Sequence, residues 1–223
     1  MGRSIQQVNF AQWLDFLFDH PVTEPAWHWS TEADQWGGSP AETVSHLTRT
    51  FRESGTALLK YSDAQLKQGF WYLVDPGCSD IAFSLVDSKV PEKLRLEAIE
   101  SIGDLFEYCF ARRCSDHLSH LDEPGANPLN ASCYMWWDIL PIHGKPEEPA
   151  RRQTDIAILL VLERTLRLES EACRESALHG LGEWQCYYPL NVERIVDGFI
   201  WHNRKIRASL RNYAYAARHG DVQ

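Results

Sequence analysis

The sequence lacks any long apolar run. The most apolar stretch, residues 156–162, is seven residues long, whereas a membrane-spanning helix needs about 20. The first ten residues, MGRSIQQVNF, also lack the apolar centre of a signal peptide. We therefore expect a soluble, cytoplasmic protein with no membrane contact.

Cysteine pairs with diagnostic spacing are also missing. The chain has six cysteines, and none of them forms a Cys-x-x-Cys pair. Without a secretory signal, the expected state of these cysteines is the free thiol of a reducing compartment.

Motifs that identify an enzyme are absent as well. The sequence contains no Gly-rich phosphate loop, no Gly-x-Ser-x-Gly elbow and no His-Glu-x-x-His helix. We accordingly predict no cofactor and no bound metal, and a non-enzymatic protein is favoured.

Basic residues are fewer than acidic residues. The 22 Lys and Arg residues are outnumbered by 31 Asp and Glu residues, giving a formal net charge of −9. Such a chain lacks the field that captures phosphate backbones, so nucleic acid is excluded as a first hypothesis. The basic segment 203–218 is interpreted as a solvated helix face. An acidic surface favours a basic protein partner.

Helical periodicity, by contrast, is present along most of the chain. Apolar residues recur at helical spacing, beginning with Phe10, Trp13, Leu14, Leu17 and Phe18. No segment alternates with period two over a useful length. The sequence therefore predicts an all-α protein with more than about 60% helix and negligible strand.

Capping patterns place several helix starts. Ser4 with Gln7, and Ser62 with Gln65, have the spacing of capping boxes. Ser39 precedes a proline at a first helical position, and Ser170 can cap a later helix. Residues 155–168 are apolar on nearly all sides and are expected to form a central buried helix.

The segment 114–152 interrupts this pattern with many prolines and glycines. Within it, residues 133–140 are too apolar for a free linker, so the segment is expected to pack over the body and to include one short helix. We predict a single domain over residues 1–223, with 114–152 as an irregular, ordered insert.

Two segments align without gaps at an offset of 79, residues 95–105 and 174–184. Both read Arg-x-x-Ala-aliphatic-x-small-aliphatic-Gly-acid-large apolar. This pattern resembles the second helix of a HEAT-like repeat. The resemblance implies antiparallel helix pairs stacked as a short, curved α-solenoid that binds partners, and it brings no catalytic residues. An irregular helical bundle is the alternative.

The repeat also makes predictions about packing. Ala98, Ile102, Ala177 and Leu181 should be buried at equivalent places. Small residues in the two copies would let a neighbouring helix approach closely; these are Ser101, Gly103, Gly180 and Gly182.

The second copy carries the first candidate site. Glu175, His179 and Glu183 are four residues apart and share one helix face. They suit a metal-ligand set or a general base with an orienting acid. The alternative is a solvated polar face, on which both carboxylates raise the pKa of His179 if they hold it.

A second candidate lies in the insert. His117 and His120 are three residues apart and can face one metal if a turn there is helical. Asp116, Asp122 and His143 are near them in sequence. The alternative is a solvated loop.

Aromatic residues form a third candidate site. They are interpreted either as anchors for a protein partner or as contacts that hold the insert to the body. With one neighbouring carboxylate, the candidates are Tyr134, Trp136, Trp137, Asp138, Tyr187 and Tyr188.

These features favour a non-enzymatic helical-repeat scaffold that binds a protein partner, for which a regulatory or immunity-type role would fit. The competing hypothesis is a metal- or acid–base-dependent enzyme with a site near His179 or near His117 and His120.

Overall fold

The computed structural model of the chain describes residues 2–222 and is all-α, as predicted. Helices of all types make up 63% of the protein. Within the described residues, strand is limited to β1 (Ser4–Ile5) and β2 (Gln35–Trp36), which pair in parallel.

The α-helices pack around one hydrophobic core. In chain order they are α1 (Phe10–Phe18), α2 (Pro40–Arg52), α3 (Ser54–Ala57), α4 (Asp63–Val74), α5 (Glu92–Leu105), α6 (Ala111–Arg113), α7 (Leu129–Tyr134), α8 (Trp136–Ile139), α9 (Arg152–Thr165), α10 (Glu171–Trp184), α11 (Pro189–His202) and α12 (Ala208–His219). A π-helical segment, Phe106–Phe110, joins α5 to α6. In the described part of the chain, every helix is too short or too polar to cross a bilayer.

Three of the predicted helix starts are confirmed. The side chains of Ser39, Ser62 and Ser170 each accept a hydrogen bond from the backbone N–H three residues later. These caps satisfy donors that the first turn of a helix leaves without a partner.

The predicted start at Ser4 is wrong. Ser4 lies in β1, where the backbone of residues 3–5 pairs with that of residues 35–37. The capping box is formed instead by Asn9 and Gln12, so α1 begins at Phe10. Asn9 and Gln12 have the same three-residue spacing, and the strand pairing decides which of the two boxes forms.

The insert reaches the centre of the molecule. Trp136 is fully buried, and its ring lies 5.6–6.2 Å from the rings of four phenylalanines; these are Phe51, Phe70, Phe106 and Phe110. The segment forms two short helices, α7 and α8, where one was predicted. Because Trp136 belongs to α8, this helix contributes to the core instead of only covering it.

Helices α5 and α10 have 14 residues each. The first residue of α10 lies 79 positions after the first residue of α5, and the last residues are separated by the same offset. Ala98, Ile102, Ala177 and Leu181 are all buried, as the repeat predicts. Whether the chain belongs to the HEAT-like repeats stays a prediction.

Two glycines of the repeat, Gly103 and Gly180, admit a neighbouring helix, as predicted. A Cβ built at Gly103 meets the side chain of Arg164, one at Gly182 meets Val222, and one at Gly180 meets Trp137 of α8. At Gly180 the Cβ would also lie 2.8 Å from Leu162 of α9, the helix that carries Arg164. Both copies therefore use a glycine against α9, whereas Gly182 contacts a residue beyond α12.

Helix α9 packs between α5 and α10, but it is not buried on all sides. The side chains of Ile156 and Leu160 are exposed. This corrects the expectation of a wholly buried central helix: one face of α9 lies at the surface, where apolar side chains are ordinary.

Candidate functional site

Glu175, His179 and Glu183 share one face of α10, as their spacing predicts, but that face is not solvated. Glu175 has 0% and His179 4% of its surface exposed, and Glu183 alone is open to solvent. The insert and α12 cover this part of α10. The alternative of a solvated polar row is therefore wrong for Glu175 and His179.

Glu175 binds the insert and does not bind His179. Its carboxylate accepts hydrogen bonds from the backbone N–H groups of Ser119 and His120, each at 2.9 Å. The Nδ1 atom of His120 lies 2.6 Å from the same carboxylate. A buried carboxylate needs such partners, and here they fix residues 119 and 120 to α10. The idea that Glu175 and Glu183 together hold His179 is wrong.

His179 is oriented from one side. Its Nδ1 atom lies 2.7 Å from the hydroxyl of Tyr213, which in turn lies 3.1 Å from the hydroxyl of Tyr134. Burial lowers the pKa of His179, although the carboxylate of Asp138 opposes the shift. The imidazole is therefore neutral near pH 7.

The other ring nitrogen of His179, Nε2, is buried and has no hydrogen-bond partner among residues 2–222. When Nδ1 carries the proton and donates a hydrogen bond to the Tyr213 hydroxyl, Nε2 presents a free lone pair. Buried polar atoms without a partner are uncommon and often mark a ligand or ion site.

Two carboxylates lie beside the His179 ring. Asp138 belongs to α8, and Glu183 follows His179 by one helical turn on α10. One possible ligand atom from each of Asp138, His179 and Glu183 lies within 4.8 Å of the other two.

The packing of α8 on α10 explains why Asp138 is there. The Trp137 side chain lies so close to Gly180 that a Cβ at residue 180 would be 2.7 Å from the indole. Gly180 thus lets α8 approach α10 closely. This places Asp138, the residue after Trp137, beside the His179 ring.

The electrostatics of the three groups favour a cation. Burial raises the pKa of Glu183, and the negative charge of Asp138 raises it further, while His143 opposes both effects. Two neighbouring carboxylates repel each other, and a metal ion between them removes that cost.

The second candidate from the sequence does not assemble. His117 Nδ1 lies 2.9 Å from the hydroxyl of Ser115, whereas His120 is bound to Glu175. Among the described residues, no metal-binding geometry joins His117 or His120 to Asp116, Asp122 or His143.

The aromatic candidates separate into buried and exposed residues. Trp136 and Trp137 are buried in the core, which agrees with the interpretation that they hold the insert to the body and rules them out as partner anchors. Tyr188 donates a hydrogen bond to Asp155 at 2.8 Å. Tyr134 is half-buried beside His179, and Tyr187 and Asp138 are exposed.

All three residues of the site are candidates from the sequence. Asp138, however, was grouped with the aromatic residues and not with His179 and Glu183. No local spacing connects Asp138 to His179, because they lie on separate helices. The Gly180 position was recognised as a close approach, but the sequence could not identify α8 as the partner.

Comparison of the chain with protein-family models, with curated proteins and with solved structures finds no match.

Proposed function

We propose that this protein binds a divalent first-row metal ion through His179 Nε2 and the carboxylates of Asp138 and Glu183. The observation that carries the proposal is the buried, unpartnered Nε2 atom of His179, on a ring that two carboxylates approach. No metal is predicted from the sequence, and the proposal departs from that prediction.

The donor set suits Zn²⁺ and similar ions. Imidazole nitrogen and carboxylate oxygen bind zinc at about 2.0–2.2 Å, which places ligand atoms about 3.4 Å apart in a tetrahedral site. The candidate ligand atoms are now separated by up to 4.8 Å. The side chains of Asp138 and Glu183 are exposed, so they have room to move towards a bound ion.

The surroundings of His179 support this role. Metal-bound histidines usually donate their other N–H to a neighbouring acceptor, which fixes the ring and its tautomer. The Tyr213 hydroxyl occupies that position here. Because the chain supplies three ligands, a fourth position is left for water or substrate, as in catalytic zinc sites.

Titration with Co²⁺, followed by displacement with Zn²⁺, tests the proposal. We expect one equivalent to bind, with visible absorption that reports the ligand geometry. Asp138→Asn and Glu183→Gln should each weaken binding at least about tenfold, and Tyr213→Phe should weaken it by about tenfold through the His179 ring.

Glu100→Gln is the matched control, because Glu100 is exposed on α5 at the position that aligns with His179. It should bind Co²⁺ as the unmodified protein does. The proposal is wrong if no metal binds at millimolar concentration, or if the ligand variants bind as tightly as the control.

Metal binding should also stabilise the fold, because the site joins the insert to α10. At a free metal concentration of 100 times Kd, a ligand specific for the folded state stabilises it by about 2.7 kcal/mol. For a protein of this size we expect Tm to rise by about 5–10 °C, as measured by calorimetry with and without Zn²⁺. At the same metal concentration, Asp138→Asn should reduce the rise by about half or more, because a tenfold weaker Kd leaves about 1.4 kcal/mol of stabilisation.

A protein-binding scaffold stays the second candidate. It is favoured by large apolar side chains exposed on α11, Leu190 and Trp201, since exposed apolar residues are used as interface anchors. Of the aromatic residues proposed from the sequence, Tyr187 is the exposed one. Affinity capture by the unmodified protein and by a Leu190→Ser/Trp201→Ser variant tests whether this surface holds a partner.

A further inference from the structure

Four of the six cysteines lie together in the core and share no residue with the proposed metal site. This thiol cluster consists of Cys109, Cys114, Cys133 and Cys173. Its members come from the π-helical segment, the end of α6, α7 and α10, so the docking of the insert brings them together. Three of them are fully buried, whereas Cys114 is half-buried.

Cys133 is the member of the thiol cluster that contacts two others. Its thiol is in hydrogen-bond contact with the thiols of Cys114 and Cys173. The backbone around it is fixed against α10, because its carbonyl oxygen accepts a hydrogen bond from Ser176 at 2.5 Å. Its Sγ atom lies 3.7 Å from the carbonyl oxygen of Ala172.

Cys114 is held beside α7 through the residue that follows it. The backbone N–H of Ser115 donates to Asn130 Oδ1 at 3.0 Å, and Asn130 Nδ2 donates to the Ser115 carbonyl at 2.9 Å. Asn130 and Cys133 are three residues apart and therefore share a face of α7. The contact between Cys114 and Cys133 thus rests on hydrogen bonds between the neighbouring residues as well as on the thiols themselves.

The two thiols differ in their access to an oxidant. The thiolate is the form of cysteine that reacts with peroxides. Burial raises the pKa of Cys133, and its contacts with the other two thiols raise it further. Cys133 is thus a protonated thiol closed to solvent, and Cys114 is the member of the thiol cluster that solvent reaches.

We propose that a hydroperoxide oxidises Cys114 and that Cys133 then joins it in a disulfide. In the first step the Cys114 sulfur attacks the O–O bond, which gives a sulfenic acid and releases water or an alcohol. In the second step the Cys133 sulfur attacks the sulfenic sulfur, and the hydroxyl leaves as water with the Cys133 proton. The hydroperoxide thereby takes up the two electrons that the two thiols lose.

Proximity makes the second step feasible despite the small thiolate fraction of Cys133. Two groups held in contact react at an effective concentration far above that of a free thiol in solution. No other thiol of the chain has both a partly exposed neighbour and a contact of this type: Cys173 is itself buried, Cys78 contacts Asp75, and Cys186 contacts the carbonyl of Glu183.

The disulfide would close residues 115–132 into a loop. This loop includes Ser119 and His120, which Glu175 holds to α10. Closing a loop of this length restricts the unfolded chain, so Tm should rise by about 5–10 °C on oxidation. Calorimetry before and after reduction with dithiothreitol measures the shift.

Treatment of the folded protein with hydrogen peroxide, followed by alkylation in denaturant, tests the proposal. We expect two cysteines to escape alkylation and to be recovered by dithiothreitol. Cleavage before Asp116 and Asp122 separates Cys114 from Cys133, so a pair of joined peptides identifies the bond. Cys114→Ser should abolish disulfide formation and leave both Cys133 and Cys173 reduced.

Cys186→Ser is the matched control, because Cys186 is the exposed cysteine and lies outside the thiol cluster. It should form the disulfide at the same rate as the unmodified protein. Cys133→Ala should form none, and dimedone should trap its Cys114 as the sulfenic acid. Thermal unfolding checks that this core variant folds; if it does not, Cys133→Ser replaces it.

Three results overturn the proposal. The first is a thiol cluster that stays fully reduced under conditions in which peroxide oxidises Cys186. The second is conversion of Cys114 to a sulfinic acid while Cys133 remains a thiol. The third is a disulfide between any other pair, including one between Cys133 and Cys173 in Cys114→Ser, because peroxide would then reach the buried thiols without Cys114.

Discussion

Gly180 is the residue on which the distance between the insert and α10 depends. A Cβ at this position would lie 2.7 Å from Trp137 and 2.8 Å from Leu162. Both neighbours are buried, so neither side chain can move aside freely. The lack of a side chain at residue 180 is what brings Asp138 to His179.

Gly180→Ala should therefore destabilise the protein, although alanine favours helix. Overpacking of a core typically costs about 1–3 kcal/mol, which exceeds the helix-propensity gain of about 1 kcal/mol. Urea denaturation measures the change, and Zn²⁺ affinity should fall with it as Asp138 is displaced.

Gly198→Ala is the control for this prediction. Gly198 lies inside α11, and a Cβ there meets nothing within 4 Å. The substitution should stabilise the protein by up to about 1 kcal/mol. If the two variants change the free energy of unfolding by the same amount, the close packing at Gly180 does not determine the effect of an alanine there.

At the scale of the elements, α10 connects the insert to the rest of the molecule. Glu175 holds residues 119 and 120, while His179 and Glu183 lie beside α8. One helix face thus contacts two separate parts of the segment 114–152, residues 119 and 120 and helix α8.

Glu175→Ala should release the first of these contacts. It leaves two backbone N–H groups and the His120 ring without their acceptor, and breaking a buried polar cluster of this type costs about 3 kcal/mol. The amides of residues 119 and 120 should also exchange with solvent faster, as measured by hydrogen exchange.

Glu100→Ala on α5 supplies the comparison, since surface substitutions usually change stability by less than about 0.5 kcal/mol. A loss of stability at Glu175 as small as that at Glu100 would show that the buried hydrogen bonds contribute little.

At the scale of the whole molecule, stability should depend on pH through two histidines, the buried His28 and the half-buried His46. Burial lowers the pKa of His46 and of His28 below the ordinary value. At His46, Arg49 adds to the shift, whereas Glu42 and the backbone of Val8 oppose it. The unfolded chain therefore binds more protons than the folded one just below about pH 6.5.

Because of this difference, the free energy of unfolding should decrease as the pH falls from about 6.5 towards the folded-state pKa values. His46→Gln should make the decrease smaller, as measured by urea denaturation at pH 7 and pH 5. His219→Gln, at an exposed position in the last turn of α12, should leave the slope nearly unchanged. An equal slope in all three proteins would contradict the prediction.

The amino-acid sequence by itself determined the helical class, three helix starts and the burial of the repeated residues in α5 and α10. These features depend on side chains within about four positions of one another, through caps and apolar periodicity. The same local signals failed at Ser4, where the competing partner was a strand 31 positions away.

Only the tertiary structure decided how the candidate sites are built. Glu175 meets a histidine 55 positions away, Asp138 reaches His179 through the packing of Trp137 on Gly180, and Trp136 enters the core instead of the surface. Such contacts depend on how the insert docks, and helical spacing carries no information about docking between distant elements. Periodicity therefore identified the residues of α10, while long-range packing determined which groups surround them.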